Sequence, residues 1–249
     1  MAAAGKRTAL ITGGGRNIGR ACVLALAEDG FNVAINGSSD RAACEGVAAE
    51  AARHGVETLV VIGDVGTLEG CQAIAGEVIR RFGAVDALVN NAALRPSKPF
   101  LETTEAEWHR VMSVDLDGSV RLSRACLPGM VQKGWGRIVN FTGMNAIHGH
   151  AGRVPVSVAK HGVWGLTKSL AMEFGPKGIT VNAISPGPIA PDAAENNAST
   201  VARAEALKKV PLGRMGKPVE IAAAVRLLVS DGASYINGQM IQVNGGGAT

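Results

Sequence analysis

The stretch Thr12-Gly-Gly-Gly-Arg-Asn-Ile-Gly19 constrains the fold more than any other part of the chain. An apolar run, Thr8-Ala-Leu-Ile11, precedes it. From Ile18 to Ala27 apolar residues recur at helical spacing. A strand, a glycine turn and a helix in that order bring free backbone N–H groups and the positive end of a helix to one point, which suits a pyrophosphate. The spacing reads T-G-x-x-x-N-x-G, not G-x-G-x-x-G. Asn17 stands where a third turn glycine would be expected, and asparagine tolerates left-handed backbone better than most residues. The alternative is an ordinary tight turn, but strand, turn and helix agree on the phosphate cradle.

The same alternation runs through the chain. Strands are expected at Phe31–Ile35, Glu57–Ile62, Asp86–Asn90, Gly136–Thr142, Gly178–Ile184 and Gln239–Val243. Between them lie helical patterns at Asp40–His54, Thr67–Phe82, Glu105–Lys133, Val156–Phe174 and Val219–Ser230. Short apolar strands alternating with helices imply an α/β doubly wound, Rossmann-type domain, its parallel sheet covered on both faces. With 249 residues, 47% of them hydrophobic, the chain suits a single domain spanning 1–249. The net charge of +4 is scattered, with no basic stripe for nucleic acid. No apolar run reaches membrane-spanning length, and the first residues are too short for a signal peptide. Cys22, Cys44, Cys71 and Cys126 form no C-x-x-C pair, which fits buried thiols and a cytoplasmic location.

In such sheets ligands bind beyond the carboxyl ends of the strands. Asp64 follows strand three, Asn90-Asn-Ala-Ala93 ends strand four, Thr142-Gly-Met ends strand five, and Ser185-Pro-Gly-Pro-Ile189 ends strand six. Asp64 equally suits a helix cap before Thr67, and Asn90 a strand-end turn.

Together with Lys160, Asn182-Ala-Ile-Ser-Pro-Gly187 and the segment Asn237–Gly246, these motifs resemble the short-chain dehydrogenase/reductase family, most of all its 3-oxoacyl-carrier-protein reductases. The resemblance implies a seven-stranded sheet, a nicotinamide dinucleotide and a homotetramer or dimer. It implies that Gly13, Gly15, Arg16, Asn17, Ile18 and Gly19 hold the pyrophosphate and that Asp64 and Val65 flank the adenine. It assigns Asn90 and Ala92 to the ribose side, Lys160 to the nicotinamide ribose, and Pro186, Gly187 and Ile189 to the nicotinamide. Pro191 replaces the threonine that would hold the nicotinamide amide. At the end of strand two, Asn36-Gly-Ser-Ser39 offers no acid to select NAD(H), while Arg16 and Arg41 stand nearby, so NADP(H) is favoured over NAD(H).

The family's reductases carry an asparagine, a serine and a Tyr-x-x-x-Lys pair. Counting from Lys160, those positions hold Asp115, Gly143 and Val156 here. A valine donates no proton and a glycine has no hydroxyl. The loop Met144–Arg153 supplies His148 and His150 as replacement acids. It also supplies Arg153 as an anchor for a carboxylate or phosphate, with Gly143 and Val156 bordering the substrate. Asp115 would orient Lys160 or a water. A flap near 188–212 would cover the substrate. No metal site is expected. The expected function is atypical NAD(P)(H)-linked oxidoreduction of a carbonyl or alcohol on a small-molecule substrate. The alternatives are a non-catalytic dinucleotide-binding protein and a non-redox enzyme on the same fold.

Overall fold

The computed structural model describes residues 6–191, 207–208 and 210–248. Seven strands form one parallel sheet: β1 (Thr8–Thr12), β2 (Asn32–Gly37), β3 (Thr58–Ile62), β4 (Ala87–Asn90), β5 (Gly136–Phe141), β6 (Ile179–Pro186) and β7 (Met240–Val243). Their order is β3-β2-β1-β4-β5-β6-β7, so the chain reverses direction across the sheet between β1 and β4. The register pairs Leu10 with Ala34 on one side and Leu88 on the other. The central strands are buried along their length, as a sheet covered on both faces requires.

The helices are α1 (Asn17–Glu28), α2 (Arg41–Ala52), α3 (Leu68–Phe82), α4 (Glu105–Met112), α5 (Gly118–Lys133), α6 (Val154–Phe174) and α7 (Pro218–Val229). One core unites Leu26 of α1, Val47 of α2 and Val225 of α7 with Ile11 and Ile35. On the other face Ile74 of α3 and Leu122 and Met130 of α5 pack on Leu10, Leu88 and Ile138. The helices expected at Asp40–His54 and Thr67–Phe82 each begin one residue later, because Asp40 and Thr67 serve as caps, and the first ends at Ala52. Asp40 accepts the Ala43 N–H at 3.0 Å, and Thr67 that of Gly70 at 2.9 Å.

The long helical pattern Glu105–Lys133 is continuous but not regular. Ser113–Asp117 is a π-helical turn between α4 and α5, and it turns Asp115 into the interior. Such turns widen a helix by one residue and recur at functional sites. All four cysteines are free and buried. Burial pushes the thiols of Cys22 and Cys126 up to about 12, so neither is a nucleophile at neutral pH. Among the described residues no helix is long and apolar enough to cross a membrane. Most of the flap expected near 188–212 lies outside the described residues; at its start Ala190 donates its N–H to Gly216 O at 2.9 Å.

Candidate active site

The glycine turn is built by backbone geometry and locked from the next strand. Gly13 has φ +63°, and Asn17 has φ +48°, the left-handed conformation that asparagine was expected to accept. A Cβ on Gly19 would lie 2.0 Å from Gly13 O, so helix and turn approach closely only because residue 19 is glycine. Asn91 Nδ2 donates to Thr12 O at 2.9 Å and to Gly13 O at 3.1 Å. In return Thr12 Oγ1 accepts the N–H groups of Asn91 and Ala92, each at 3.0 Å. β1 and β4 therefore hold the turn between them.

Above this turn lies a cleft of about 680 Å³. Gly13, Gly15, Arg16, Asn17, Ile18 and Gly19 line one wall, and Asn36, Asp64, Val65 and Ala92 line the others. Asn36 keeps its amide for the fold: Nδ2 donates to Val61 O and Gly63 O, both at 3.1 Å, and ties β2 to β3. Asp64 caps the turn before α3 rather than α3 itself, accepting the Gly66 N–H at 2.8 Å and Arg110 Nη1 at 2.8 Å. Burial works to raise its pKa, but Gly66 and Arg110 outweigh burial and hold the carboxyl below its ordinary range. Asp40, the nearest acid to the end of β2, is occupied as the α2 cap.

Asn90 lies beneath the cleft. Its Nδ2 donates to Asn140 Oδ1 at 2.8 Å, and Asn140 passes a bond on to Thr167 Oγ1 at 3.0 Å. Asn90 Oδ1 is buried without a hydrogen-bond partner. Pro186 ends β6, and the Gly187 N–H bonds Val243 O at 3.0 Å. A Cβ on Gly187 would lie 2.7 Å from Asn244 Cα. Ile189 lines a separate cavity of about 100 Å³ with Pro188 and Asn244, not the main cleft.

Asp115 and Lys160 form the charged centre. They are 1% and 4% exposed, so neither charge reaches water. Lys160 Nζ stands 3.3 Å from Asp115 Oδ2, an ion pair without hydrogen-bond alignment, and Oδ2 is left with no hydrogen bond. Asp115 Oδ1 accepts the Leu94 N–H at 2.6 Å, which joins the pair to a residue lining the cleft. Burial pushes the Lys160 ammonium down, and the neighbouring Arg95 pushes it further; Asp115 opposes both without restoring the ordinary value.

The loop after β5 differs from the expectation in one respect. Gly143 has φ +75° and ψ 173°, a region open essentially to glycine alone. A side chain there would meet no neighbouring atom but would strain the backbone. Val156, one turn before Lys160, is buried and apolar. His148 and His150 are exposed, and neither lines the cleft. His150 Nδ1 pairs with Ala151 O at 2.8 Å. Arg153 is half-buried at the start of α6, its Nε sealed from solvent without a hydrogen-bond partner. The structure thus brings Lys160 and Asp115 together, with the histidines exposed and outside the cleft lining. Among the described residues no cluster of metal-ligating side chains occurs.

Residues 13–248 match the family described as enoyl-(acyl carrier protein) reductase. A 3-oxoacyl-acyl-carrier-protein reductase of Staphylococcus epidermidis is 39% identical over 242 residues, covering 96% of this chain and 98% of that protein. The chain belongs to the short-chain dehydrogenase/reductase family. Nodulation protein G of Azospirillum brasilense is 36% identical over 97% of this chain and 98% of its own. Among solved structures, acetoin dehydrogenase of Salmonella typhimurium superposes with a TM-score of 0.89 at 34% identity, covering 97% of this chain and 96% of that one. Levodione reductase gives 0.90 at 33%, covering 96% of each. The protein is a short-chain dehydrogenase/reductase-type oxidoreductase with the family's sheet.

Within that family frame, sequence reasoning overlooked three contributors. Asn91, not Asn90, lines the cleft and clamps the turn. Arg110 reaches from α4 to Asp64. Arg95 lines the cleft in the loop after β4. A cation in the loop that continues the Asn90-Asn-Ala-Ala93 motif at the ligand-binding rim was the available signal for Arg95. Nothing in the sequence ties Arg110 to a residue 46 positions away.

Proposed function

We propose that this chain is an atypical NADP(H)-dependent oxidoreductase acting on the carbonyl or CH–OH group of a small-molecule substrate. The observation that carries the reading is the buried Lys160–Asp115 pair, bonded through Leu94 to the cleft that begins at the glycine turn. The residues fit a dinucleotide: Gly13, Gly14 and Gly15 leave the start of the turn without side chains, α1 has no acid in its first turn, and the cleft volume lies in the usual ligand range. A bound nicotinamide supplies or accepts the hydride. The 2′-phosphate is favoured because Asp40 is engaged as a cap and Arg16 stands exposed in the cleft wall.

Val156 offers no proton, so the proton is assigned to the Lys160 ammonium. Burial and Arg95 weaken its hold on that proton, and Asp115 keeps it charged until substrate arrives. His148 and His150 are the weaker candidates, since both are exposed and neither lines the cleft. The non-catalytic reading draws support from the same buried valine. A homotetramer or dimer in the cytoplasm completes the reading: Met172 on α6 and Tyr235 are fully or nearly exposed, and the free thiols suit a reducing compartment.

The test is a fluorescence titration with NADPH and NADH, followed by a carbonyl screen on the bound cofactor. NADPH is expected to bind about tenfold or more tighter than NADH. No binding of either removes the cofactor assignment. Tight binding without turnover of any carbonyl replaces the enzyme by the non-catalytic protein.

A further inference from the structure

The inner end of the cleft holds more positive charge than its one buried carboxylate balances. Two backbone hydrogen bonds create this. The Leu94 N–H donates to Asp115 Oδ1 at 2.6 Å, and the Lys98 N–H donates to Gly152 O at 2.8 Å. They pin both ends of the segment Arg95-Pro96-Ser97. The second also stitches that segment to the loop whose next residue is Arg153, and a Cβ on Gly152 would lie 3.2 Å from Ser97 Oγ.

Arg95 is exposed and lines the cleft. It is close enough to Asp115 to be attracted and to Arg153 to be repelled. Lys160 in turn feels Arg95. Asp115, whose Oδ2 already faces Lys160, therefore serves both Lys160 and Arg95, and Arg153 adds a second guanidinium beside Arg95. Arg153 Nε is a buried donor with nothing to donate to. An unmet buried donor costs about 1–3 kcal/mol, more when charged. Two guanidinium groups brought together without an anion repel, while their planar fork matches a carboxylate with two parallel hydrogen bonds. The pyrophosphate has its own donors at the glycine turn, so this charge is surplus to the cofactor's needs.

We infer that Arg95 and Arg153 form a carboxylate-binding pair, and that the substrate is a small oxo acid or hydroxy acid whose carboxylate they hold. The inference rests on the cleft being an oxidoreductase site and adds the substrate class to it. The acid group takes no part in the redox change; it fixes the orientation of the carbon beside it.

The experiment is calorimetric titration of the full-length chain with malonate, dimethyl malonate and inorganic phosphate, in wild type and in Arg95→Gln and Arg153→Gln variants. NADPH binding is measured in parallel by fluorescence. Malonate is expected to bind wild type, to bind better than phosphate, and to weaken by about tenfold or more in each variant. The neutral diester is expected not to bind, and NADPH affinity to stay within about twofold. Arg153 is half-buried, so if Arg153→Gln fails to fold, Arg153→Lys replaces it; it keeps the charge, loses the fork, and is expected to weaken malonate severalfold. Equal malonate binding in wild type and variants overturns the inference, as does tighter phosphate binding or no malonate binding at all. A tenfold loss of NADPH affinity in Arg95→Gln would assign Arg95 to the cofactor and also overturn it. Failure of wild type to bind NADPH strikes the oxidoreductase reading instead, and leaves a variant-sensitive malonate site standing.

Discussion

The two edges of the sheet treat buried polar groups in opposite ways. At the amino edge, Asp86 accepts the Thr8 N–H at 2.8 Å and Lys133 Nζ at 2.6 Å. Arg137 is buried there, donating to Gly136 O at 2.8 Å and resting 4.4 Å from the centre of the Trp135 ring. Arg7 lies over the same ring at 3.8 Å, and Asp231 accepts both Arg7 Nη1 and Trp135 Nε1 at 2.9 Å. At the carboxyl edge and the helical segments above it, Asn90 Oδ1, Arg153 Nε and Ser185 Oγ are buried without partners, and Asp115 Oδ2 has the Lys160 ion pair but no hydrogen bond. Each such atom is destabilising by about 1–3 kcal/mol. Apart from Thr180 Oγ1, buried beside Arg137 without a partner, the first edge is finished chemistry that fastens strands together. The other keeps capacity in reserve for a ligand, and the stability of the first offsets the incompleteness of the second.

The difference can be broken by substituting one carboxylate at each edge. Asp115→Asn is expected to give the larger effect, a loss of turnover of about a hundredfold or more, with NADPH affinity little changed. The amide still accepts the Leu94 N–H but no longer opposes burial and Arg95 at Lys160. The Lys160 pKa therefore falls further, and the alkaline limb of the turnover profile moves to lower pH. A purely structural Asp115 would lower activity without moving that limb, and steady-state kinetics across pH separates the two.

Asp86→Asn should do the reverse, costing about 2 kcal/mol of stability with turnover retained. Urea denaturation and a fall in melting temperature of about 4–8 °C would register it. The smallest effect is expected for Asp231→Asn. Arg7 hydrogen bonding, with help from Trp135 and Arg137, outweighs burial and holds this carboxyl below its ordinary value. Its contribution is present above the unfolded carboxylate range and disappears as pH falls through the lowered native value. Because Asp231 is largely exposed, the loss stays under about 1 kcal/mol, and the variant and wild-type melting curves should converge once the pH has fallen below the lowered native value. A pH-independent difference would show that packing on Trp135, not charge, holds that corner.

The sheet was readable in the sequence because periodicity and glycine placement are local signals. The strand starting at Thr8, the turn at Gly13 and the left-handed Asn17 follow from neighbours a few residues away. The cradle was readable for the same reason. The reacting end was not. Asp115 and Lys160 were named, but their isolation from water depends on a π-helical turn with no simple sequence signature. The histidines follow from their chemistry alone; both are exposed and neither lines the cleft. Gly143 stands out in the sequence for its missing hydroxyl and its place at the substrate border; its φ of +75° shows that a serine would also need a different backbone. Arg95 is harder to read because the loop its segment is tied to, through the Lys98–Gly152 bond, lies far along the chain.

The π-helical turn at Ser113–Asp117 also fixes the length of the chain at that point. Each residue advances a helix by about 100°, so deleting one here would rotate everything downstream by that angle. Asp115 would swing from its lysine, or Leu122, Cys126 and Met130 would leave the core. The carboxylate at one end and the hydrophobic seam at the other are thus geared to the same tally of residues. Insertions or deletions in these five positions should be tolerated far less well than changes of side chain.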